Sequence, residues 1–408
     1  MENIENKVPN GENQDTQNSS FFSENVSSSN GLEVKFPRLR FNTFSSPWNI
    51  VTLQNLLCYS KGRCSVKKNF FISTENMLQN YAGVSYYEGK EMVSGVSFSK
   101  NDILLANIRP YLKKVWQAEF SGAASTDVLV FHPLKGYPTF IKYIIANDKF
   151  INYVMSAVKG SKMPRGDKVH IMSYLTAYPS LLEQQKIANF LSLIDKRIEK
   201  QRQLVEALKK YKRGVIKYYF DNILGKHIKL KNILIEVDEK TKINNQHPVI
   251  SSTKQGLFWQ EDYFNKDIAS SDNKGYKILR KGQIVFSPQN LWMGNINYNE
   301  DFEIGIVSPS YKIYDINKNF DPYFISVLLK TPIAMKEFFL ASEQGASIVR
   351  RNLNMNLFEN IAFQIPSLDK QKDIATRLNK LQKNLEMHVK ALDFLNKFKR
   401  GLLQQMFI

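Results

Sequence analysis

Two long stretches of the chain carry apolar residues at heptad spacing, which predicts two long amphipathic helices. In the first stretch the apolar heptad positions are Leu191, Ile194, Ile198, Val205, Leu208 and Val215. In the second stretch they are Leu378, Leu381, Leu385, Leu392, Leu395 and Leu402. One heptad position is polar in both stretches, Gln201 in the first and His388 in the second. Long helices with a narrow apolar seam rarely stand alone, so we expect the two to pack on each other as an antiparallel coiled coil.

The two stretches are copies of one segment. Residues 179–220 and residues 366–407 align without a gap, and 15 of the 42 positions are identical. Ser180 is a suitable N-cap for the first helix, and Glu183 three residues later predicts a capping box. The second copy has Lys370 in place of that glutamate. The chain is therefore an internal duplication.

A stretch of mixed strand and turn signals precedes each helix. Short β-branched and aromatic runs in these stretches, such as residues 127–131 and 304–314, predict an α+β protein with two globular mixed α/β domains. The stretches also correspond loosely, because residues 102–107 resemble residues 283–288. The predicted segments are a disordered tail at 1–33, a first domain at 34–178, a first helix at 179–224, a second domain at 225–365 and a second helix at 366–408.

The charge of the chain points to a polyanionic partner. Lysine and arginine number 56 against 38 aspartates and glutamates, which gives a net charge of +18. The acidic first thirty residues oppose this balance, so the rest of the chain is more basic still. No apolar run is long enough for a membrane span, and the N-terminal residues lack the pattern of a signal peptide. We therefore expect a cytoplasmic protein without a membrane partner.

The chain contains near-matches to catalytic motifs that do not satisfy the chemistry. Residues 120–124 resemble a methyltransferase glycine turn but end in Ala124, and Asp321-Pro322-Tyr323 lacks a proline of the adenine-site motif. The latter is better interpreted as a helix start with proline in the first turn. The five histidines and two cysteines lack the spacing of metal ligands. We expect binding surfaces, with no catalytic residue and no metal site in this chain.

Four segments resemble a known family, the DNA specificity subunits of type I restriction–modification systems. They are the opening segment Val34–Phe41 with Trp48 after it, the helix start Pro179–Ala188, the segment Pro248–Leu257 and the segment Val307–Tyr311. The resemblance covers residues 34–408 and is most specific at the helix starts. The second helix departs from the usual pattern at Lys370-Gln371-Lys372.

This resemblance implies a chain that reads a bipartite, asymmetric site in double-stranded DNA. Each domain would read one half of the site, and the helices would set the unread gap. The family further implies two modification subunits that use S-adenosylmethionine and two restriction subunits that use ATP and Mg²⁺, with no cofactor in this chain. The alternative is a coiled-coil interaction or nucleoid-type protein that binds DNA without sequence preference.

Polar and basic loop residues are the candidate DNA contacts, because base edges and phosphates are bound mainly by such side chains. In the first domain the candidates are Asn107, Arg109, Tyr111, Lys113, Lys114, Lys162 and Arg165. In the second domain they are Thr253, Lys254, Gln289, Asn290, Trp292, Arg350 and Arg351.

Overall fold

A computed structural model describes residues 22–24, 36–263, 272–344 and 351–408. The chain forms two compact units, one from residues up to Lys200 together with Leu392–Ile408, and the other from Gln201–Ala391. The division differs from the predicted segments, since each unit takes in the start of one long helix and the end of the other. Among the described ranges, no helix combines the length and apolar character that a membrane crossing requires.

The first unit is built on two four-stranded sheets, ordered β5-β7-β10-β6 and β4-β11-β8-β9. Its strands are β1 (Phe22–Glu24), β2 (Leu39–Phe41), β3 (Asn49–Thr52), β4 (Leu57–Tyr59), β5 (Arg63–Lys67), β6 (Phe71–Ile72), β7 (Met92–Phe98), β8 (Ile103–Ala106), β9 (Val115–Gln117), β10 (Gly122–Ala124), β11 (Val128–Pro133) and β12 (Leu175–Tyr178). Its helices are α1 (Pro138–Ile145), α2 (Asp148–Ser156), α3 (Lys168–Met172) and the start of α4 (Leu181–Asp221).

The second unit repeats one of these sheets, in the order β14-β21-β18-β19. Its strands are β13 (Lys226–Lys229), β14 (Leu234–Val237), β15 (Ile250–Thr253), β16 (Gly256–Trp259), β17 (Lys277–Arg280), β18 (Ile284–Phe286), β19 (Ile296–Tyr298), β20 (Ile304–Val307), β21 (Lys312–Ile316), β22 (Ser342–Gln344), β23 (Arg351–Leu353) and β24 (Ala362–Ile365). Its helices are α5 (Leu230–Ile233), α6 (Gln260–Tyr263), α7 (Pro322–Leu328), α8 (Pro332–Leu340), α9 (Met355–Asn360) and the start of α10 (Leu368–Met406).

The duplication extends from the helices into the domains. In the first unit, Gln184 of α4 accepts a hydrogen bond from the backbone N–H of Tyr137 at 2.9 Å. In the second unit, Gln371 of α10 accepts one from the N–H of Asp321 at 2.9 Å. Each glutamine also donates to the carbonyl of the proline five residues earlier. The same buried amide therefore joins each long helix to the domain that precedes it.

The turn before β8 has a counterpart before β18. Asp102 and Gln283 occupy the same place, and each accepts a hydrogen bond from a backbone N–H three residues earlier at 2.8 Å. Each also contacts the central strand of its sheet: Asp102 lies 2.8 Å from the His132 Nδ1, and Gln283 donates to Asp315 at 2.9 Å. The residue types differ between the copies while the contacts are kept.

Within each unit the two long helices run in opposite directions. In the second unit, Gln201 donates to the backbone carbonyl of His388 at 2.9 Å, whereas Lys212, further along α4, contacts Gln382, which is earlier in α10. The predicted polar heptad positions therefore meet each other. The predicted seam residues are fully buried at Leu191, Val205 and Leu378 and partly buried at Ile194, Ile198, Leu208, Leu381, Leu385, Leu392 and Leu395.

The C-terminal end of each long helix packs into the core of the unit that contains the start of the other long helix. Phe407 of the first unit stacks on Phe140, with ring centroids 5.3 Å apart. Phe220 of the second unit packs on Phe324 at 5.2 Å. The two phenylalanines occupy the same position of the repeat. Leu402, Leu403 and Met406 are buried in the same core as Phe407.

Two predictions about the start of the chain require correction. Glu183 does not close a capping box, because its carboxylate accepts hydrogen bonds from Arg40 at 2.7 and 2.8 Å and from Trp48 at 3.2 Å. Arg40 and Glu183 are both 2% exposed, so this pair fastens the segment before β3 to the start of α4. The tail was predicted to be disordered, yet Phe22–Glu24 pair antiparallel with β2. The rest of the predicted tail lies outside the described residues.

A partly buried charge cluster joins α1 to both helices in the first unit. The Asp195 carboxylate lies 2.9 Å from Lys142 and 2.5 Å from Lys399, and it accepts a hydrogen bond from the Tyr143 hydroxyl at 2.7 Å. Burial raises the pKa of Asp195, but attraction to the two lysines outweighs burial and lowers it to about 2. Burial lowers the pKa of Lys142. The cluster stabilises the unit only while the carboxylate is ionised.

We expect Asp195→Asn to lower the free energy of unfolding at pH 7 by about 2 kcal/mol. Because the folded pKa lies below the ordinary value of 3.8, this contribution is present above pH 4 and is lost as the pH falls towards 2. Denaturant unfolding of both proteins should therefore show a difference that narrows over that range. Asp393→Asn, which breaks an exposed ion pair with Lys397, is the control and should cost little. A difference that is constant with pH would contradict the assignment.

Candidate nucleic-acid interface

In the first unit the candidate contacts lie on two turns that pack together. Asn107 follows β8, and the short helical turn Pro110–Leu112 lies between Arg109 and Lys113, both with left-handed backbone, φ 52° and 55°. Residues other than glycine adopt this conformation at a cost, and such positions are enriched at functional sites. The Arg109 N–H donates to the Pro164 carbonyl at 2.8 Å. The structure thus brings Asn107, Arg109 and Arg165 together.

A concavity of about 380 Å³ opens between these turns. Its lining residues are Asn107, Lys159, Arg165, Gly166, Asp167, Lys168 and Val169. Arg165 is 56% exposed and lies 3.0 Å from Asp127. The buried Asn107 Oδ1 has no hydrogen-bond partner within the part of the chain that the structure describes. The exposed cationic side chains around this concavity suit DNA phosphates.

Four further candidates of the first unit differ in their surroundings. Lys113 forms an ion pair with Asp148 at 2.7 Å, and Lys114 donates to the Thr74 carbonyl at 2.5 Å, with a pKa that burial lowers. These contacts hold the loop to its own domain, and DNA binding by the two lysines stays a prediction. Tyr111 is 48% exposed, and Lys162 is also exposed.

In the second unit the turn after β18 meets β23. The Arg351 N–H donates to the Gln289 carbonyl at 3.2 Å, and the Arg351 guanidinium lies 4.0 Å from the centre of the Phe339 ring. Trp292 contacts the same ring, with centroids 6.1 Å apart. Gln289, Trp292 and Arg351 therefore form one surface, with Asn290 in the same turn. Arg350 lies outside the described residues.

The other two candidates of the second unit, Thr253 and Lys254, lie at the tip of the β15–β16 hairpin. Lys254 is exposed, whereas the Thr253 hydroxyl accepts a hydrogen bond from the Gln255 N–H at 3.1 Å. Strands β15 and β16 pair antiparallel, as do β22 and β23.

A buried polar network supports the β15–β16 hairpin. The Ser252 hydroxyl donates to Asn295 Oδ1 at 2.9 Å and accepts from Asn297 Nδ2 at 2.9 Å. The Tyr311 hydroxyl donates to the Ser252 carbonyl at 3.1 Å, and Lys330 donates to Asn297 at 2.8 Å. The sequence interpretation missed these residues. Their signal is the alternation of asparagine with apolar residues along β19, which indicates a polar face turned inward.

We expect Ser252→Ala to lower the free energy of unfolding by roughly 1–3 kcal/mol, because two buried amide groups lose a partner. Chemical denaturation of the full chain measures the loss. Ser251→Ala is the matched control, since Ser251 contributes no side chain to the network and should change stability by less than about 0.5 kcal/mol. Equal effects of the two substitutions would show that the network does not stabilise the hairpin.

Comparisons with known proteins agree on one family. Residues 45–210 match the family model of the type I restriction modification DNA specificity domain. The type I restriction enzyme MjaVIII specificity subunit of Methanocaldococcus jannaschii is 22% identical over 311 residues, which are 68% of this chain and 68% of that protein. The resemblance to specificity subunits is therefore confirmed.

Two solved structures show the same fold. The type I restriction–modification S subunit from M. genitalium has a TM-score of 0.57 and 16% identity, over 92% of this chain and 99% of that chain. A chain from a study of complex assembly and conformational transition in the type I system has a TM-score of 0.54 and 15% identity, over 88% of this chain and 97% of that chain. The predicted α+β class with two long helices is confirmed.

Proposed function

We propose that the whole chain is a DNA specificity subunit, because residues 45–210 match the family model of the type I restriction modification DNA specificity domain. Each domain reads one half of a bipartite site in double-stranded DNA. The observation that carries the proposal is the family match of the first domain, together with a second domain built on the same contacts. The chain is the non-catalytic component that selects the site.

The two halves of the site differ in sequence under this proposal. The scaffold contacts of Gln184 and Gln371 are the same in the two copies. The exposed surfaces differ, because the first unit presents Asn107 with Arg165 and the second presents Trp292 with Arg351 on Phe339. Different side chains at the base edges select different bases, so the site is asymmetric.

The charge of the chain supplies the part of the affinity that does not depend on sequence. A net charge of +18 attracts phosphates and releases their counterions, so DNA binding weakens steeply as salt concentration rises. Sequence preference then depends on the few side chains that reach base edges. Since the target is the DNA of the cell, we propose a cytoplasmic location.

The long helices have two roles in the proposal: they set the gap between the half-sites, and they bind two modification subunits. Exposed aromatic residues lie on both helices. Tyr211 of the second unit is 63% exposed, while Phe394 and Phe398 of the first unit are stacked and 65% and 46% exposed. Tyr211 and Phe398 occupy the same position of the repeat. A duplicated aromatic residue on an exposed helix face suits two copies of one partner.

Catalysis belongs to the partner subunits in this proposal. Two modification subunits use S-adenosylmethionine to methylate adenine, and two restriction subunits use ATP and Mg²⁺. In this chain, Gly122–Ala124 form strand β10, and Asp321 caps α7 by accepting a hydrogen bond from the Phe324 N–H at 2.8 Å. The residues that resembled methyltransferase motifs therefore have structural roles.

The direct test is to produce the chain together with modification subunits and to map N6-methyladenine across the DNA of the host cell. We expect methylation at one bipartite motif with a constant gap. Binding by the same complex should fall on salt addition for all DNA but keep its preference for that motif. Methylation without a common motif, or binding with equal affinity to any DNA, would favour the coiled-coil or nucleoid-type alternative.

The gap should follow the length of the helices. One heptad inserted between Lys200 and Gln201 and another between Ala391 and Leu392 lengthen each helix by about 10 Å and keep the seam in phase. We expect unchanged half-sites and a gap about three base pairs longer, measured by mapping methylated adenines.

Lys196→Ala with Lys200→Ala changes the surface of this region without changing its length, and it should leave the gap unchanged. An unchanged gap in an assembled, methylating insertion variant would contradict the role of the helices in spacing.

The exposed aromatic residues should each bind one modification subunit. We expect Tyr211→Ala or Phe398→Ala to weaken binding of one subunit by about 30-fold and the double variant to weaken binding of both. Native mass spectrometry would count the subunits bound. Lys210→Ala and Lys397→Ala, which also share one position of the repeat, are the controls and should bind two. Full occupancy in the double aromatic variant would contradict this docking surface.

A further inference from the structure

The first unit contains a two-stranded ribbon that the sequence interpretation did not identify. Strand β5 pairs antiparallel with β7 over five residues, from Arg63 opposite Val96 to Lys67 opposite Met92. The next strand of the sheet, β10, pairs only with Val96–Phe98 of β7. Residues 92–95 of β7 therefore have β5 as their strand partner, and β5 is the edge of the sheet. The two strands extend past the rest of the sheet as a ribbon.

One face of this ribbon is polar, basic and open to solvent. Arg63, Ser65 and Lys67 are exposed, and they alternate with half-buried Cys64 and Val66. On β7, Met92 and Ser94 are exposed on the same side, because they stand opposite Lys67 and Ser65 in the register. The Ser65 and Ser94 hydroxyl oxygens lie 2.5 Å apart across the strands.

The cations of this face are available to a ligand. Neither Arg63 nor Lys67 forms an ion pair with any residue in the described ranges. Glu91, an acidic residue at the end of the ribbon, is paired with Lys68 at 3.0 Å. A row of unpaired cations and hydroxyls on a flat strand pair attracts an anionic partner with accessible hydrogen-bonding groups.

The second unit has no equivalent ribbon within its described residues. The Ser97 N–H donates to the Gly62 carbonyl in the first unit, and the Ile278 N–H donates to the Glu239 carbonyl in the second, which identifies the corresponding strands. Beyond that bond, the pairing in the second unit reaches Lys240, through its bridge to Lys277, and Thr241, whose backbone bonds to Tyr276 and Gly275. The described residues form no strand there that corresponds to β5.

The residues at the bridge serve the fold of the second unit. Lys277 is only 7% exposed and is paired with Asp238 at 2.9 Å. The ribbon is thus an addition that the first domain carries on a scaffold common to both. Because the ribbon distinguishes the first domain from the second, it is a place where a difference between the two half-sites would arise.

We propose that the β5–β7 ribbon enters the major groove of DNA and reads base edges of the half-site that belongs to the first domain, with Arg63, Ser65 and Ser94 as the reading residues. The inference rests on the proposed function and names the element that gives the first half-site its sequence. The major groove, about 12 Å wide, admits a two-stranded β-ribbon. Arginine pairs with O6 and N7 of guanine, and serine pairs with several bases. Lys67, at the end of the same face, suits a phosphate.

The test uses the full chain assembled with its modification subunits, and maps methylated adenines for wild type, Arg63→Gln and Lys67→Gln. We expect Arg63→Gln to remove the base preference at one position of the first half-site. At that position wild type should prefer one base over the others by between about 5-fold and about 150-fold. The second half-site and the gap should stay the same. Lys67→Gln should reduce methylation evenly and leave the motif unchanged. Lys397→Gln, on the exposed face of α10, is the control without effect on the motif.

The outcomes separate this inference from the proposed function. If wild type yields no bipartite motif, the proposed function fails. If wild type yields one and Arg63→Gln leaves the first half-site unchanged, or alters only the second, the ribbon does not read it. If Arg63→Gln lowers methylation evenly, Arg63 binds phosphate and base reading is overturned. For a variant too weak to methylate, binding of the purified complex to duplexes substituted at each position of the first half-site gives the same comparison.

Discussion

The pairing of α4 with α10 in opposite directions is the contact on which the rest of the structure depends. Because of it, the residues that complete the first unit's core come from the end of the second helix, and the residues that complete the second unit's core include the end of the first. Phe407 stacks on Phe140, and Phe220 packs on Phe324. Neither copy of the duplicated segment finishes its own core. Each supplies the last helical turn that the other requires.

The polar pair in the seam shows how this exchange is organised. Gln201 and His388 are the same position of the repeat, and they bond to each other. In an antiparallel pair of related helices only one level can bring equivalent residues face to face. A polar group at such a level opposes shifted pairings, because any shift would bury the glutamine amide against apolar seam residues. Apolar residues supply the strength of the seam, and this pair gives its register.

Sequence alone was sufficient for the features with a regular period. The heptads of α4 and α10, the gapless repeat and the proline helix start at Pro322 follow from short-range pattern. Glu183 shows the limit, because its partners Arg40 and Trp48 lie 143 and 135 residues away. A local motif predicted that the Glu183 carboxylate closes a capping box, but this carboxylate forms a long-range ion pair with Arg40 instead. Lys113 is a second example: its charge suggested a contact with DNA, and the structure shows that it forms an ion pair with Asp148, 35 residues away in the chain.

The DNA-contact role of the candidate residues stays a prediction, but the sequence did indicate which loops come together. The loops after β8 and β18 were chosen for their polar and basic side chains, and the structure brings Asn107 close to Arg165 and Gln289 close to Arg351. The network around Ser252 and the ribbon at Arg63 were not found. In both, the decisive fact is which strands pair, and alternation along one strand does not reveal its partner.

The position of Phe407 also affects how the protein folds during synthesis. Asn147 donates a hydrogen bond to the Leu403 carbonyl, 256 residues further along the chain. The first domain therefore emerges from the ribosome long before the residues that complete its core. The apolar surface that these residues cover stays exposed while the whole second domain is synthesised. Premature termination within α10 would thus leave unfinished the domain that was translated first.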